Sequence, residues 1–262
     1  MTVKDKTIVV TGGASGIGLA ATRLLAAGGA RVAVWDIDGA GATAAADDAV
    51  RRGAPTAVGL RCDVSAEPAV ERALAAVEQR LGPVDGLFAN AGIGTGGGLL
   101  HELESDVWSR VMAVNLGGVY LCCKHVLRSL VATGRPGSIV CTSSPTAFGS
   151  LAAGGVPAYS TAKGGVSALV RCLAVDYARH GIRVNAVVPG ATETSLMWQN
   201  VAEDEIARLR DTVHAEVPLG RLATPEEPAR AAVWLLSDDA SYVTGTHLVC
   251  DGGILAKLSI SV

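Results

Sequence analysis

Seven short runs rich in β-branched residues punctuate the chain, each followed by a stretch long enough for a helix. No other feature restricts the fold as much. The runs are Thr7–Val10, Arg31–Trp35, Thr56–Arg61, Val84–Ala89, Ser138–Thr142, Arg183–Val188 and His247–Cys250. Strands that alternate with helices build βαβ crossovers, and these runs are apolar on both faces, as strands covered from both sides must be. The expected architecture is a doubly wound, Rossmann-type parallel α/β sheet with helices on both faces. No Pro- or Ser-rich linker, charge block or repeat divides residues 1–262, so one domain is expected. Residues 191–218 break the rhythm with Met197, Trp198 and a charged, helical stretch from Ala202 to Glu216, and they read as a lid over the strand ends.

Charge narrows the partners. The net charge of -3 gives no electrostatic reason to expect nucleic acid or an anionic membrane, so a small soluble substrate is the default. The apolar run Ile8–Val10 behind the polar start is too short for a signal-peptide core or a membrane span, and a cytoplasmic location is expected. Cys62, Cys122, Cys123, Cys141, Cys172 and Cys250 lie in apolar segments without CxxC spacing and read as reduced, small hydrophobes. His101, His125, His180, His214 and His247 show no zinc-ligand spacing, and no metal site is expected.

Directly after the first run comes Thr11-Gly12-Gly13-Ala14-Ser15-Gly16-Ile17-Gly18. Glycines at 12, 16 and 18 allow backbone to approach a pyrophosphate and a helix to pack tightly on its strand, while the helix N-terminus offers N–H donors. Their spacing is GxxxGxG rather than GxGxxG, and in a chain with 32 glycines such a turn can be purely structural. Asp36 closes the second run 18 positions after Gly18, where an acid can hydrogen-bond the adenosine ribose hydroxyls. A carboxylate there repels a 2′-phosphate, and neither Ser15 nor Ile37 supplies a cation to receive one, so NAD is favoured over NADP. Asp36 could also serve as a helix cap.

Tyr159 and Lys163 stand four apart in Tyr-Ser-Thr-Ala-Lys, a spacing that puts both on one face of a helix. A phenol with an ordinary pKa of about 10 is a poor base at neutral pH, but a nearby ammonium favours its phenolate. Tyr159 could then exchange a proton with an alcohol or carbonyl oxygen. The pair alone could equally be a surface contact.

Together these motifs resemble the short-chain dehydrogenases/reductases over Val3 to Gly253. The resemblance implies that Gly12, Ser15, Gly16, Ile17 and Gly18 form the dinucleotide turn, that Asp63 with Val64 contacts the adenine, and that Asn90, Ala91 and Gly92 lie against the ribose. It also implies that Ser144, ending the fifth run, hydrogen-bonds the substrate oxygen. Ser143 is the alternative, because the 15 positions from Ser144 to Tyr159 exceed the family's usual spacing and place a small insertion in 145–157. Asn115 matches a helix asparagine that holds a water beside the lysine, although structural pairing of its amide would also account for it. Lys163 would hold the nicotinamide ribose as well as act on Tyr159. Pro189, Gly190, Thr192 and Thr194 match the segment that binds carboxamide and phosphates. The implied reaction is hydride transfer between NAD(H) and a secondary alcohol or ketone.

The expected pocket walls, 94–100, 145–157 and the segment of Met197 and Trp198, are small and apolar, which fits a neutral secondary alcohol or ketone, cyclic ones included; Phe148 and Trp198 are the expected contacts, although either could be simple packing. The apolar tail 251–262 is expected in a subunit interface, and family resemblance implies a homotetramer. Competing readings are a 3-oxoacyl thioester reductase, an epimerase or dehydratase with resident NAD, and a non-catalytic NAD sensor.

Overall fold

The computed structural model describes residues 2–94, 98–151, 154–199 and 201–257. Each of the seven runs forms a strand: β1 (Thr7–Thr11), β2 (Arg31–Asp36), β3 (Ala57–Arg61), β4 (Gly86–Ala89), β5 (Gly137–Thr142), β6 (Ile182–Pro189) and β7 (His247–Cys250). They make one parallel sheet in the order β3-β2-β1-β4-β5-β6-β7. Successive side chains alternate between two cores. Val9, Trp35, Leu87, Ile139 and Val184 enter one, and Ile8, Val10, Val34, Phe88 and Val140 enter the other. This two-sided burial is the physical reason the strands are apolar throughout.

The helices are α1 (Gly16–Ala27), α2 (Gly39–Arg51), α3 (Glu67–Leu81), α4 (Ser105–Met112), α5 (Gly118–Thr133), α6 (Pro157–Tyr177), α7 (Ser195–Trp198), α8 (Glu203–Glu216) and α9 (Glu226–Leu236). Between α4 and α5 the chain continues as a π-helical turn, Ala113–Gly117. The apolar positions Val111, Val114 and Val119 are three and then five apart, and the longer step falls on this wider turn. Pro157 opens α6 in the first turn, where a missing N–H costs nothing. The order of the strands reverses at β1, which has β2 on one side and β4 on the other, and a crevice opens at the carboxyl ends of these two halves.

Candidate active site

The residues that the sequence singles out lie at or just beyond the ends of β1 to β6 and on the start of α6, with Asn115 on the π-helical turn and Trp198 on α7. The turn after β1 is held from both sides. Thr11 Oγ1 accepts from the backbone N–H of Asn90 and of Ala91, each at 3.0 Å, and Ala14 N–H donates to Asp36 Oδ2 at 3.0 Å. Glycine is required by contact at two positions. A methyl on Gly18 would lie 2.0 Å from the Gly12 carbonyl oxygen, and one on Gly12, whose φ is +63°, would lie 2.9 Å from Ala91 Cα. Ser15 starts α1 with extended backbone and no side-chain bond to the first-turn amides, so those N–H groups have no side-chain acceptor, as an incoming phosphate requires.

The opposite wall is the segment after β6. Thr194 lies across from the turn, so that a methyl on Gly16 would come within 3.2 Å of its Cγ2. Thr192 is buried and donates to the Gly190 carbonyl at 3.0 Å, directly after Pro189. Asp36 is part-buried, and its second oxygen accepts from Asp38 N–H at 3.1 Å. Asp63 spends one oxygen on Ser65, accepting from its N–H and its hydroxyl, while Val64 is buried against α5 at Gly118. Gly92 lies so close to Asn115 that an added methyl would meet its Oδ1 at 2.7 Å. A narrow, glycine-lined cradle with free amides and a carboxylate on its flank fits a dinucleotide. When bound there, a nicotinamide dinucleotide supplies a hydride acceptor or donor.

The catalytic candidates converge beside this cradle. The Ser144 hydroxyl acts on Tyr159, favouring its phenolate, and its oxygen accepts from Thr146 N–H at 3.2 Å and from Thr146 Oγ1 at 3.0 Å. Ser143 points elsewhere, bonding Ser167 Oγ at 2.7 Å and the Lys163 carbonyl at 3.3 Å inside the α6 contact. Of the two serines the sequence left open, Ser144 is the one that reaches Tyr159.

Lys163 is buried, and its ammonium lies 5.6 Å from the Tyr159 ring centroid and donates to the Thr142 carbonyl at 2.7 Å. Burial pulls its pKa down to about 8. The sequence led us to expect a phenol depressed by this ammonium, and the structure differs. Burial pushes Tyr159 above its ordinary value, and the Ser144 bond is what opposes it. Charge proximity was legible in the spacing, but desolvation and the competing Thr142 carbonyl were not.

Asn115 sits on the π-helical turn, fully buried, with Oδ1 accepting from Ile93 N–H and Nδ2 donating to the Ile93 carbonyl, both at 2.9 Å. Its side chain therefore pairs with backbone like a strand residue, which is the structural alternative the sequence allowed. Phe148 is half-exposed and meets His247 edge-on at 5.5 Å between centroids. Trp198 donates to Glu193 Oε1 at 2.7 Å and carries the Arg210 guanidinium 5.2 Å above its ring. The described contacts of both aromatics are thus to protein side chains.

The expected walls meet one another. Gly98 N–H donates to the Gly155 carbonyl at 3.2 Å, and Gly94 faces Leu196. Exposed Leu99, Leu100, Leu151 and Leu196 make these loops apolar. Residues 95–97, 152–153 and 200, parts of those walls and of the lid, and 258–262 of the tail lie outside the described residues.

Two further sets of residues bear on the sequence reading. Cys62 is pushed up to about 12 by burial, and Cys122 and Cys123 are raised as well, which fits inert thiols. Glu67, Glu71 and His125 bring three potential metal ligands within 4.8 Å, between α3 and α5 and away from the crevice. The His spacing used in the sequence could not find a group drawn from two helices. Glu67 there is already paired to Lys124 at 2.5 Å and His125 at 2.9 Å.

A dinucleotide cradle beside a Ser–Tyr–Lys group defines a nicotinamide-dependent oxidoreductase. Comparison with known proteins gives the family. The family model described as enoyl-(acyl carrier protein) reductase matches residues 12–255. A cis-4-hydroxycyclohexanecarboxylate dehydrogenase from Sinomonas cyclohexanicum is 44% identical over 255 residues, covering 96% of this chain and 97% of the relative. A 2,5-dichloro-2,5-cyclohexadiene-1,4-diol dehydrogenase from Sphingobium indicum is 43% identical over 259 residues, covering 97% and 98%. The crystal structure of a short-chain type dehydrogenase/reductase from Mycobacterium marinum superposes with a TM-score of 0.89 at 31% identity, covering 96% of each chain. The chain belongs to the short-chain dehydrogenase/reductase family and is an oxidoreductase acting on a secondary alcohol or the matching ketone.

Proposed function

We propose that this protein oxidises neutral, cyclic secondary alcohols with NAD, or reduces the corresponding ketones. The observation that carries the reading is the buried Lys163 ammonium 5.6 Å from the Tyr159 ring centroid, one helical turn away on α6, with Ser144 acting on the same phenol beside the glycine-lined crevice. In the oxidative direction Tyr159 takes the hydroxyl proton while Ser144 holds the same oxygen, and in reduction Tyr159 returns it. Lys163 supports the charge that Tyr159 acquires and holds the nicotinamide ribose. Asn115 fixes the loop after β4 through Ile93. Pro189, Gly190, Thr192 and Thr194 close on the carboxamide and phosphates from the other wall, while Asp63 and Val64 flank the adenine.

Asp36 supports NAD over NADP. Its carboxylate stands at the end of β2 where ribose hydroxyls are read. The apolar walls support a neutral ring, and two relatives of this chain are dehydrogenases of six-membered-ring alcohols. Phe148 and Trp198 remain the aromatic candidates for contact with that ring. The same reading places the protein in the cytoplasm; among the described residues no helix is long and apolar enough to cross a membrane. It also includes a homotetramer, supported by exposed Tyr120 and Val131 on α5, Val175 on α6 and Val249 on β7.

The test is NADH formation at 340 nm across a panel of cyclic secondary alcohols with NAD and NADP, on wild type and Tyr159→Phe. Removing the proton carrier should cost about 10²- to 10⁴-fold in kcat while NAD affinity changes less than twofold. Near-normal turnover by Tyr159→Phe would overturn the reading. Product formed without net NADH would point to resident-cofactor chemistry, and activity confined to acyl thioesters with NADPH would point to the reductase named by the family model.

A further inference from the structure

Helix α8 is an unusual lid, since it runs for 14 residues without one that is buried. A helix with so little covered surface needs some other hold on the body. Its inward-facing positions, Ile206, Leu209, Arg210 and Val213, are only part-covered. Its last carbonyl, that of Glu216, accepts from Lys257 at 3.3 Å, and the side-chain contacts come from Arg210. Its guanidinium pairs with Glu193 Oε1 at 2.6 Å and stacks on the Trp198 ring at 5.2 Å, while Trp198 Nε1 donates to the same Glu193 oxygen at 2.7 Å. Two residues, from α7 and α8, thus close on one carboxylate oxygen supplied by the loop after β6.

The position of Glu193 in the chain gives this cluster its meaning. It lies between Thr192 and Thr194, and Thr194 faces the glycine turn across the crevice. Glu193 N–H is itself fixed to the Ala223 carbonyl at 2.9 Å, so the carboxylate projects from backbone that cannot easily shift. We infer that Glu193 and Arg210 are positioning residues whose latch on Trp198 holds α7 and α8 over the substrate pocket. The inference rests on the proposed alcohol dehydrogenase reading for its kinetic arm only.

Glu193→Ala and Arg210→Met should each raise the KM for the alcohol about tenfold, with kcat at saturation and NAD affinity within about twofold, since the groups assigned to chemistry and cofactor are untouched. Because both changes break one latch, the double variant should be no worse than either single one. Glu193→Gln keeps an acceptor oxygen for Trp198 and Arg210 and should recover most of the KM. A second readout needs no turnover. Trypsin cleavage after Arg208 requires α8 to open, and Glu193→Ala should accelerate it at least fivefold at unchanged global stability. Additive effects in the double variant, a fall in NAD affinity as large as the rise in KM, or unchanged cleavage at Arg208 would overturn the latch. A wild type inactive on every alcohol would defeat the functional reading while leaving the cleavage test intact.

Discussion

Asp36→Asn should turn the cofactor preference, and its magnitude can be worked from the site. In the wild type the carboxylate accepts from Ala14 N–H at 3.0 Å and Asp38 N–H at 3.1 Å, so it secures the glycine turn as well as, on the proposed function, reading the ribose hydroxyls. The amide keeps one acceptor oxygen and loses the charge. A charge-assisted hydrogen bond is worth about 1.5 to 3 kcal/mol, so NAD should bind roughly 10- to 100-fold more weakly. NADP gains from the relief of repulsion. Two unit charges 4 Å apart repel by about 4 kcal/mol at an effective dielectric of 20, and partial exposure reduces this to roughly half, a gain of about 30-fold. The ratio of kcat/KM for NAD over NADP should therefore fall by about 10³-fold. Arg61 enlarges the effect, since it is the register partner of Asp36 across β2 and β3 and its Nε donates to the Ile37 carbonyl at 3.3 Å. Adding Arg61→Ala to Asp36→Asn should remove several-fold of the new NADP activity. The assay is initial rates at 340 nm with both cofactors, with thermal unfolding as a check on folding. A preference ratio that moves by less than tenfold would refute the reasoning.

Other perturbations separate roles that the sequence left joined. Ser144→Ala should lower kcat by about 10²-fold with little loss of stability, whereas Ser143→Ala should leave kcat near wild type and destabilise by about 1 kcal/mol, because its hydroxyl serves only Ser167 and the Lys163 carbonyl; urea unfolding and initial rates measure both. Asn115→Ala unpairs both Ile93 groups and should cost about 2 to 4 kcal/mol in unfolding, while a water-holding role alone would cost turnover without that loss. Lys163 has a folded pKa near 8 against an ordinary 10.5, so between these values the unfolded chain binds more protons and stability from this group rises with pH. Lys163→Met should therefore be more favourable relative to wild type at pH 7 than at pH 10, by about 2 to 3 kcal/mol, and a pH-independent difference in urea midpoints would contradict the buried ammonium.

How far the sequence could be read depended on the range of the interaction. All seven strands were legible because two-sided burial leaves a local apolar signature, and only their ends moved, as where Val84 and Asp85 precede β4 rather than join it. The glycine turn, Asp36 and the Tyr159–Lys163 pair were legible because each is a spacing within one or two elements. The π-helical turn at 113–117 was not read, although the five-residue gap from Val114 to Val119, against the three from Val111 to Val114, is its local trace. Neither was the Glu193 cluster. Arg210 is 17 positions away, and a Glu, a Trp and an Arg on a charged segment each have an ordinary surface explanation. The upward push on Tyr159 was misjudged for a similar reason, because neighbours in sequence report charge while burial is set by the whole fold.

A helix that contributes nothing to the core is also a helix that can change its sequence at little thermodynamic cost. Surface substitutions generally alter stability by less than about 0.5 kcal/mol, and α8 is all surface or near-surface, while Tyr159 and Lys163 are anchored on α6 and Ser144 just beyond β5. Mutational drift and laboratory libraries can therefore vary 203–216, the lid of the proposed function, without first having to stabilise the protein. The buried strand ends have no such latitude, so on the proposed function changes of substrate are expected to fall mainly in 203–216.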